Sequence, residues 1–440
     1  MNLLAQPKSI APLLSFRIIF GLLAAILSAR MLLLGWVDKF YIQPQFAFRL
    51  WGCQNLPELP AAGLYSCFVL MILAGLGIAL GYKYKLSAGI FFSCFTYVEL
   101  LDLTHYLNHY YLISLLALLI WILPAHRAFS LDHPISPELV KVPALYIWTP
   151  RLLFVLVYFF AGLAKLQSDW LFLAQPLRIW LGQQSDFPLF GPILASSWLP
   201  PFFAYFGAAF DLSVGFFLLW SKSRKWAYCF VIAFHLATAT LFHIGIFPYL
   251  MMACTTIFFS SQFHEKIITT FAAVFNLTLS KLKLEFVLPA FQRYFLLFFL
   301  LFQALFPLRH HLYSGNVLWH EQGFRFAWMV MLVEKRGYAQ FKVVDGQTGQ
   351  MSWVNNLDHL NEKQEIMMAY QPDMLLQFAH YLANYYQQEQ GYQAPQVYLD
   401  AQVSLNGRLS QRLVDPKVDL AQEKAYLWAK PNWILAFQGD

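Results

Sequence analysis

The segment RLLFVLVYFFAGLAKLQSDW, residues 151–170, is an apolar run that begins after Arg151 and ends at Lys165. The run is long enough to form most of a membrane-spanning helix, so the amine of Lys165 would lie near membrane depth, close to the belt residue Trp170. Charged side chains at such depths are costly and are by default functional. Because burial disfavours a charged lysine, Lys165 can supply a neutral amine that acts as a base. Alternatively, Lys165 reaches the membrane interface and has no chemical role.

The composition of the chain is that of a membrane protein. Of its 440 residues, 59% are hydrophobic and 12% are charged, far from the usage of soluble domains. The net charge of +6 does not indicate a nucleic-acid partner, because Lys and Arg concentrate in loops and serve membrane orientation. The five cysteines are scattered through apolar segments without metal-ligand spacing, which argues against a disulfide scaffold or a zinc site.

Apolar segments of membrane-spanning length recur along the first 307 residues. We therefore predict a polytopic α-helical membrane protein with about nine transmembrane helices. The predicted spans are residues 13–36, 62–81, 87–105, 108–124, 147–166, 201–220, 226–243, 245–261 and 288–307.

The composition becomes that of a globular domain after Pro307, which predicts a transmembrane bundle at residues 1–307 and a C-terminal α+β domain at residues 308–440. In the second part, alternating patterns predict strands, and a helical pattern predicts one amphipathic helix. The strands are expected at residues 339–344, 351–354 and 396–404, and the helix at residues 372–389.

Basic residues mark alternate loops of the bundle. If these loops are cytoplasmic, the N-terminus is cytoplasmic and the C-terminal domain is extracytoplasmic. Lys165 and the pair Asn108–His109 would then lie at the end of the bundle that faces this domain. The basic loops are Lys83–Lys85, His126–Lys141, Lys222–Lys225 and Lys266–Lys283.

Several collinear blocks of the sequence resemble the vitamin K-dependent γ-glutamyl carboxylases, in a form similar to the bacterial members of the HTTM-domain superfamily. The resemblance covers nearly the whole chain, which makes it more specific than any short motif. Its blocks are Tyr158–Trp170, Asn108–Tyr111, Phe210–Gly215, Phe234–His235, Leu241–Tyr249, Phe306–His310, Trp319, Phe326–Met331, Asp373–Gln377, Val403–Arg408 and Gln411–Asp419.

The resemblance implies an enzyme that couples O2-dependent epoxidation of reduced vitamin K to carboxylation of peptidyl glutamate with CO2. The γ-carbon proton of glutamate is beyond the reach of any side-chain base, so oxidation must supply a stronger one. The implied partners are a glutamate-containing peptide or protein, a quinol that is vitamin K hydroquinone or menaquinol, and the lipid bilayer. A bacterial inner membrane is the expected location.

The resemblance also implies roles for particular residues. Lys165 matches the family's catalytic lysine, and His109, with Asn108 beside it, matches a histidine that hydrogen-bonds developing oxyanions. Asp211 and His235 match polar positions to which we assign support roles in catalysis. The remaining candidates are Trp319, Trp328 and Met331 for the quinol and Phe324, Lys335 and Arg336 for the peptide, although the aromatic residues are also typical of a domain core.

Alternatives remain open at the level of sequence. Phe324 and Ala327 stand where hydroxyl-bearing residues are usual in the family, so the chain could oxidise a hydroquinone without carboxylating glutamate. The spacing of His105 and His109 permits a di-iron desaturase or a haem-binding interpretation, but no second histidine box appears and we predict no metal site. A non-catalytic transporter or quinone-binding protein is the third alternative, although no paired halves with broken helices are evident.

Overall fold

The structure, a computed structural model, describes residues 3–242, 244–425 and 431–439; His243, between the seventh and eighth predicted spans, lies outside this set. Each predicted span coincides with a helical segment to within four residues at its ends. The helices are α1 (Ala11–Leu33), α2 (Ala61–Leu80), α3 (Tyr84–Leu101), α4 (Asn108–Ile122), α5 (Ala144–Leu163), α6 (Ser168–Leu171), α7 (Leu177–Gly182), α8 (Gly191–Leu194), α9 (Leu199–Leu219), α10 (Arg224–Leu241), α11 (Phe247–Cys254), α12 (Ser261–Val274), α13 (Ala290–Leu305), α14 (Val317–His320), α15 (Glu362–Met368) and α16 (Pro372–Glu389).

Five helices among the described residues are long and apolar enough to cross a membrane, so the predicted number of nine is not confirmed. Helices α3 and α10 have the length but are less apolar, because α3 carries Lys85 and Glu99 and α10 begins with Arg224 and Lys225. Helix α4 and the helical segment that starts with α11 are shorter. The five helices are Ala11–Leu33, Ala61–Leu80, Ala144–Leu163, Leu199–Leu219 and Ala290–Leu312.

Close helix crossings hold the bundle together. On α1, a Cβ added to Gly21 would lie 2.5 Å from the backbone nitrogen of Ala79 and 2.6 Å from the carbonyl oxygen of Gly75, both on α2. The two backbones therefore approach closely because glycine lacks a side chain.

A small sheet lies at the end of the bundle where α5 begins, opposite to Lys165. Strand β2 (Val140–Pro143) pairs antiparallel with β1 (Pro7–Ser9) and parallel with β3 (Leu284–Glu285). In the neighbouring loops, the buried guanidinium of Arg17 donates hydrogen bonds to the carbonyl oxygens of Ala125, at 3.1 Å, and Phe129, at 2.7 Å. Arg17 thus satisfies backbone groups that the loops leave unpaired.

The C-terminal part forms the predicted combination of strands and helices. Four antiparallel strands lie in the order β5-β4-β6-β7, and α16 packs on them through Met374, Leu375, Phe378 and Leu382, all buried. The predicted amphipathic helix is confirmed at Pro372–Glu389. The strands are β4 (Lys335–Val344), β5 (Met351–Trp353), β6 (Gln396–Leu405) and β7 (Gln411–Arg412).

Candidate functional site

Lys165 is buried and forms an ion pair with Asp211. Its Nζ lies 2.9 Å from Oδ2 of Asp211 and donates a second hydrogen bond to the carbonyl oxygen of Ala161, at 3.2 Å. Both charged residues are only 5% exposed. The ring of Trp170, which is fixed by a hydrogen bond from Nε1 to the carbonyl oxygen of Ala204, has its centroid 5.2 Å from Nζ. The lysine is therefore held by the protein and does not reach out to an aqueous interface.

The pair depends on a tight crossing of α5 and α9. A Cβ added to Gly162 would lie 2.5 Å from the backbone nitrogen of Leu212 and 2.9 Å from the carbonyl carbon of Asp211. Farther along the crossing, the Cβ of an alanine at Gly215 would lie 3.1 Å from the Cα of Val155. The absence of a side chain at Gly162 thus sets how closely Asp211 approaches the helix that ends before Lys165.

An apolar cavity of about 340 Å³, which we call the first cavity, lies beside this pair. Lys165, Asp211, Tyr158 and His235 are its polar lining residues on the bundle, together with Thr238. The hydroxyl of Tyr158 and Nε2 of His235 are 2.9 Å apart, and Nδ1 of His235 is buried without a hydrogen-bond partner among the described residues. Most of the remaining lining is aromatic or aliphatic, including Phe202, Phe203, Phe206, Phe230, Phe234 and Phe242.

His109 and Asn108 line a second cavity, of about 690 Å³. The His109 ring stacks on Phe247 with a centroid distance of 5.6 Å, and the ring of His235 also contacts Phe247, at 5.9 Å. Phe247 and Met331 line both cavities. The two cavities therefore share a wall, and His109 lies on the opposite side of that wall from His235.

The segment Phe326–Met331 of the C-terminal part has a strained conformation, and its last two residues, Val330 and Met331, line both cavities. Phe326, Trp328 and Met331 have φ values of 62°, 58° and 56°, in the left-handed region that non-glycine residues rarely adopt. Bundle residues hold this backbone: the Tyr106 hydroxyl accepts from the Phe326 amide at 2.7 Å, and Asn108 Nδ2 donates to the Met329 carbonyl at 3.1 Å. Asn108 therefore positions this segment, a contact that the sequence did not reveal.

Asp169 connects the site to the C-terminal sheet. Its carboxylate accepts hydrogen bonds from Arg408, at 2.6 and 2.8 Å, and from Asn406 Nδ2, at 2.7 Å. Burial alone would raise the pKa of Asp169, but these hydrogen bonds and the charge of Arg408 outweigh it and lower the pKa. Sequence reasoning missed this contact, although Asp169 and the Asn406–Arg408 turn both belong to the blocks that carry the resemblance.

The three predicted quinol-binding residues do not lie together in the structure. Met331 lines both cavities, whereas Trp319 and Trp328 are not among the residues that line them. Trp319 is buried in the C-terminal core and donates from Nε1 to the carbonyl oxygen of Leu435 at 2.9 Å, and Trp328 packs on Tyr111 with a centroid distance of 5.0 Å. Only Met331 of the three is therefore in reach of a molecule in the first cavity.

The predicted peptide-binding residues lie apart from the cavities. Lys335 is buried; its Nζ contacts Oε1 of Glu321 at 2.8 Å, and burial lowers its pKa despite that carboxylate. The Arg336 side chain is 73% exposed and pairs with Glu334 at 3.3 Å, while Phe324 packs against the C-terminal core. A peptide role for these residues stays a prediction.

In the part of the chain that the structure describes, no group of three or more His, Cys, Asp or Glu side chains is close enough together to bind a metal ion. His105 and His109 do line the same cavity.

Two family models together match most of the chain. The HTTM domain matches residues 5–263, more than half of the protein, and the lumenal domain of vitamin K-dependent gamma-carboxylase matches residues 289–440. The chain belongs to the vitamin K-dependent γ-carboxylase family. No solved structure matches it.

The apolar helices and the family membership both indicate a membrane protein. The second match is to a domain that lies outside the cytoplasm in this family. The two matches leave residues 264–288 between them, a stretch that contains the end of α12 and strand β3. The division of the chain into residues 1–307 and 308–440 stays a prediction.

Proposed function

We propose that this chain is a membrane enzyme that couples oxidation of a vitamin K-type hydroquinone by O2 to carboxylation of peptidyl glutamate with CO2. The observation that carries the proposal is the buried Lys165–Asp211 pair, which lines an apolar cavity between the bundle and the carboxylase-type lumenal domain. In a topology with cytoplasmic basic loops, this cavity lies near the extracytoplasmic end of the bundle. A bacterial inner membrane is the proposed location.

The first cavity suits the hydroquinone of a lipid-soluble quinone. Its aromatic and aliphatic walls match an apolar ring with an isoprenoid tail, and its few polar groups are close enough together to orient hydroxyl groups. Lys165, Asp211 and the Tyr158–His235 pair would hold the ring hydroxyls, with Met331 closing the cavity from the C-terminal side. When bound, the hydroquinone supplies the oxidation energy that produces a base stronger than any side chain.

The Lys165–Asp211 pair is suited to accept a proton in a dry environment. With its proton on Nζ it is an ion pair, and with that proton on Oδ2 it is an amine beside a carboxylic acid; both forms are neutral overall. A pair without net charge is tolerated in an apolar cavity far better than an isolated charge. In the second form Nζ carries a lone pair, which can take a phenolic proton once the Oδ2–H group of Asp211 rotates away from it, while the hydrogen bond to Ala161 keeps the amine in place.

His109 is suited to stabilise oxygen-centred charge on the far side of the shared wall. No hydrogen bond occupies its imidazole within the described residues, and Phe247 stacks on the ring and fixes its plane. A ring N–H that is held in position before reaction can donate to an oxyanion as charge develops.

Epoxidation without carboxylation is the second candidate function, favoured by the apolar residues Phe324 and Ala327 at positions where the family usually has hydroxyl groups. A transporter or a passive quinone-binding protein would not require the pair at Lys165.

One assay separates these functions. Purified protein in lipid nanodiscs is incubated with reduced vitamin K or menaquinol, O2, labelled bicarbonate and a glutamate-rich peptide, and both quinone epoxide and fixed label are measured. The proposal expects both products; epoxide alone supports the second candidate, and neither product contradicts both.

A further inference from the structure

The second cavity has the lining of an anion-binding site. It contains two cationic side chains, Arg30 of α1 and Lys363 of α15, together with the imidazoles of His105 and His109 and the amide of Asn108. None of the described residues that line it is Asp or Glu. This lining contrasts with that of the first cavity, in which Lys165 has a carboxylate partner.

Neither cation is neutralised by a carboxylate within the described ranges. Lys363 Nζ lies 2.7 Å from Nδ1 of His105 and 5.0 Å from the centroid of the Phe40 ring. The guanidinium of Arg30 lies 4.8 Å from the centroid of the Trp36 ring. Both charges are thus held over aromatic faces, where they remain available to an incoming anion.

The acidic residue whose charge acts on Lys363 is already engaged elsewhere. Asp102 accepts from the backbone nitrogen and hydroxyl of Thr104, both at 2.8 Å, and from Nε2 of Gln364 at 2.9 Å. Its oxygens are therefore committed to fixing the α3–α4 connection against α15.

The position of the second cavity connects this anion site to the proposed chemistry. Arg30 belongs to the bundle and Lys363 to the C-terminal part, so the cavity lies between these two parts of the protein. Both side chains are solvent-accessible. Its inner wall, with Phe247 and Met331, is the wall that it shares with the first cavity. An anion held by the cations would therefore lie one wall away from the Lys165–Asp211 pair.

We propose that Lys363 and Arg30 bind the side-chain carboxylate of an acidic residue in a peptide substrate, an inference that rests on the proposed function. The γ-carbon of glutamate is bonded to its carboxylate, so removing a γ-proton adds a second negative charge next to the first. Cations at the carboxylate offset that charge, and their stabilisation is larger after proton removal than before it. The site therefore both selects the acidic side chain and favours its deprotonation.

The test is a binding measurement that requires no turnover. A labelled peptide with one Glu and a matched peptide with Gln in its place are titrated, without quinol, against protein in phosphatidylcholine nanodiscs, which exclude anionic lipid as a competitor. Because charge-assisted hydrogen bonds would be lost, wild type is expected to bind the Glu peptide about tenfold to a hundredfold more tightly than the Gln peptide. Lys363→Gln is expected to lower the ratio severalfold, since Arg30 remains, whereas Lys363→Arg keeps it.

The matched control is Lys417→Gln, which removes an exposed lysine of the same domain and should keep the wild-type preference. Arg30→Gln is a second test variant should Lys363→Gln fail to fold, since it leaves the contact between Lys363 and His105 intact. The proposal is overturned if wild type binds both peptides alike, or if the folded variants keep the full wild-type preference for Glu.

The same proteins distinguish failure of the site from failure of the proposed function. If the binding preference depends on Lys363 and Arg30 but no label is fixed, carboxylation is refuted and the acidic-peptide site stands. If label is fixed while the preference survives Lys363→Gln and Arg30→Gln, carboxylation stands and the site assignment is wrong.

Discussion

Two buried lysines pair with carboxylates among the residues that the structure describes, and they differ in whether a cavity lies beside them. Lys165 pairs with Asp211 in the bundle and lines the first cavity. Lys335 pairs with Glu321 in the C-terminal part, where its Nζ also donates to the carbonyl oxygen of Trp319 at 2.9 Å. Lys335 is absent from the lining of both cavities described above.

Burial of a paired lysine does not by itself indicate a catalytic role. Burying a charge is costly, and the pairing that compensates it can serve either the fold or a reaction. At Lys335, three protein oxygens, of Trp319, Glu321 and Tyr370, accept hydrogen bonds from the amine. At Lys165, one side of the amine faces an empty volume, so the same chemical group can meet a ligand.

Lys165→Ala should abolish detectable hydroquinone epoxidation, because loss of a general base costs about 10²–10⁴ in rate. The measurement is epoxide formation by chromatography, with quinol binding followed separately. The substitution leaves Asp211 buried without its partner, so the double variant Lys165→Ala/Asp211→Asn controls for loss of stability. Epoxide produced at the wild-type rate by a folded variant would refute Lys165 as the base.

Lys335→Met should instead lower the stability of the folded protein. Breaking a buried pair leaves Glu321 uncompensated and typically costs about 3–5 kcal/mol. Thermal unfolding of the purified protein should show a lower transition temperature, and Lys335→Met/Glu321→Gln should recover much of the loss. If Lys335→Met instead unfolds like wild type but loses peptide binding, then the substrate role suggested by the sequence is correct and the structural role is not.

His109→Ala should lower turnover by about 10²–10³, the usual cost of losing an oxyanion donor. The loss should appear in kcat with little change in quinol affinity, because His109 lines the second cavity and not the first. His264, which is buried at the opposite end of the bundle and contacts the carbonyl oxygen of Thr256, supplies the control variant His264→Ala. Equal rates for His109→Ala and wild type would reduce His109 to a packing residue.

Much of the fold could be predicted from the sequence because the length of each continuous apolar segment indicates where a helix begins and ends. The start of α4 at Asn108 and both ends of α16 were predicted to the residue. The predicted number of nine membrane crossings is not confirmed, since α3 and α10 have the length of a span but carry charged residues near their ends, which lower their hydropathy.

The candidate site was less predictable because its geometry depends on distant residues. Lys165 could be singled out by its apolar surroundings, but its partner Asp211 is brought to it by the crossing at Gly162, and no local pattern encodes that crossing. Likewise, the second cavity joins Arg30 to Lys363 through the packing of the C-terminal part on the bundle. Of the candidate site residues named from the sequence, Asn108, His109 and Met331 line this cavity.

Gly162→Ala tests whether the close crossing of α5 and α9 determines the distance between Lys165 and Asp211. The added methyl would lie within 3 Å of backbone atoms of α9, so the helices must separate, at a cost of about 1–3 kcal/mol. Displacing Asp211 from Lys165 by about 1 Å should lower epoxidation by up to about 10². Gly182→Ala is the matched control, since no atom lies within 4 Å of its added Cβ. Full activity in Gly162→Ala would mean that Asp211 does not need its present position.

The smallest expected effect concerns the contact between Asp169 and Arg408, an ion pair that joins the site segment to the C-terminal sheet. Because the pKa of Asp169 is lower in the folded protein than its ordinary value of 3.8, the contact adds stability above that value and loses it as pH falls through the lowered one. Wild type should therefore unfold at a higher temperature than Asp169→Asn at neutral pH, and the difference should shrink below pH 3.8. The exposed pair Arg412–Asp400 provides the control Asp400→Asn, for which a much smaller difference is expected. A difference between wild type and Asp169→Asn that stays constant down to the acid limit would mean that the ionised carboxylate does not hold the two parts together, and that the hydrogen bond to Asn406 is sufficient.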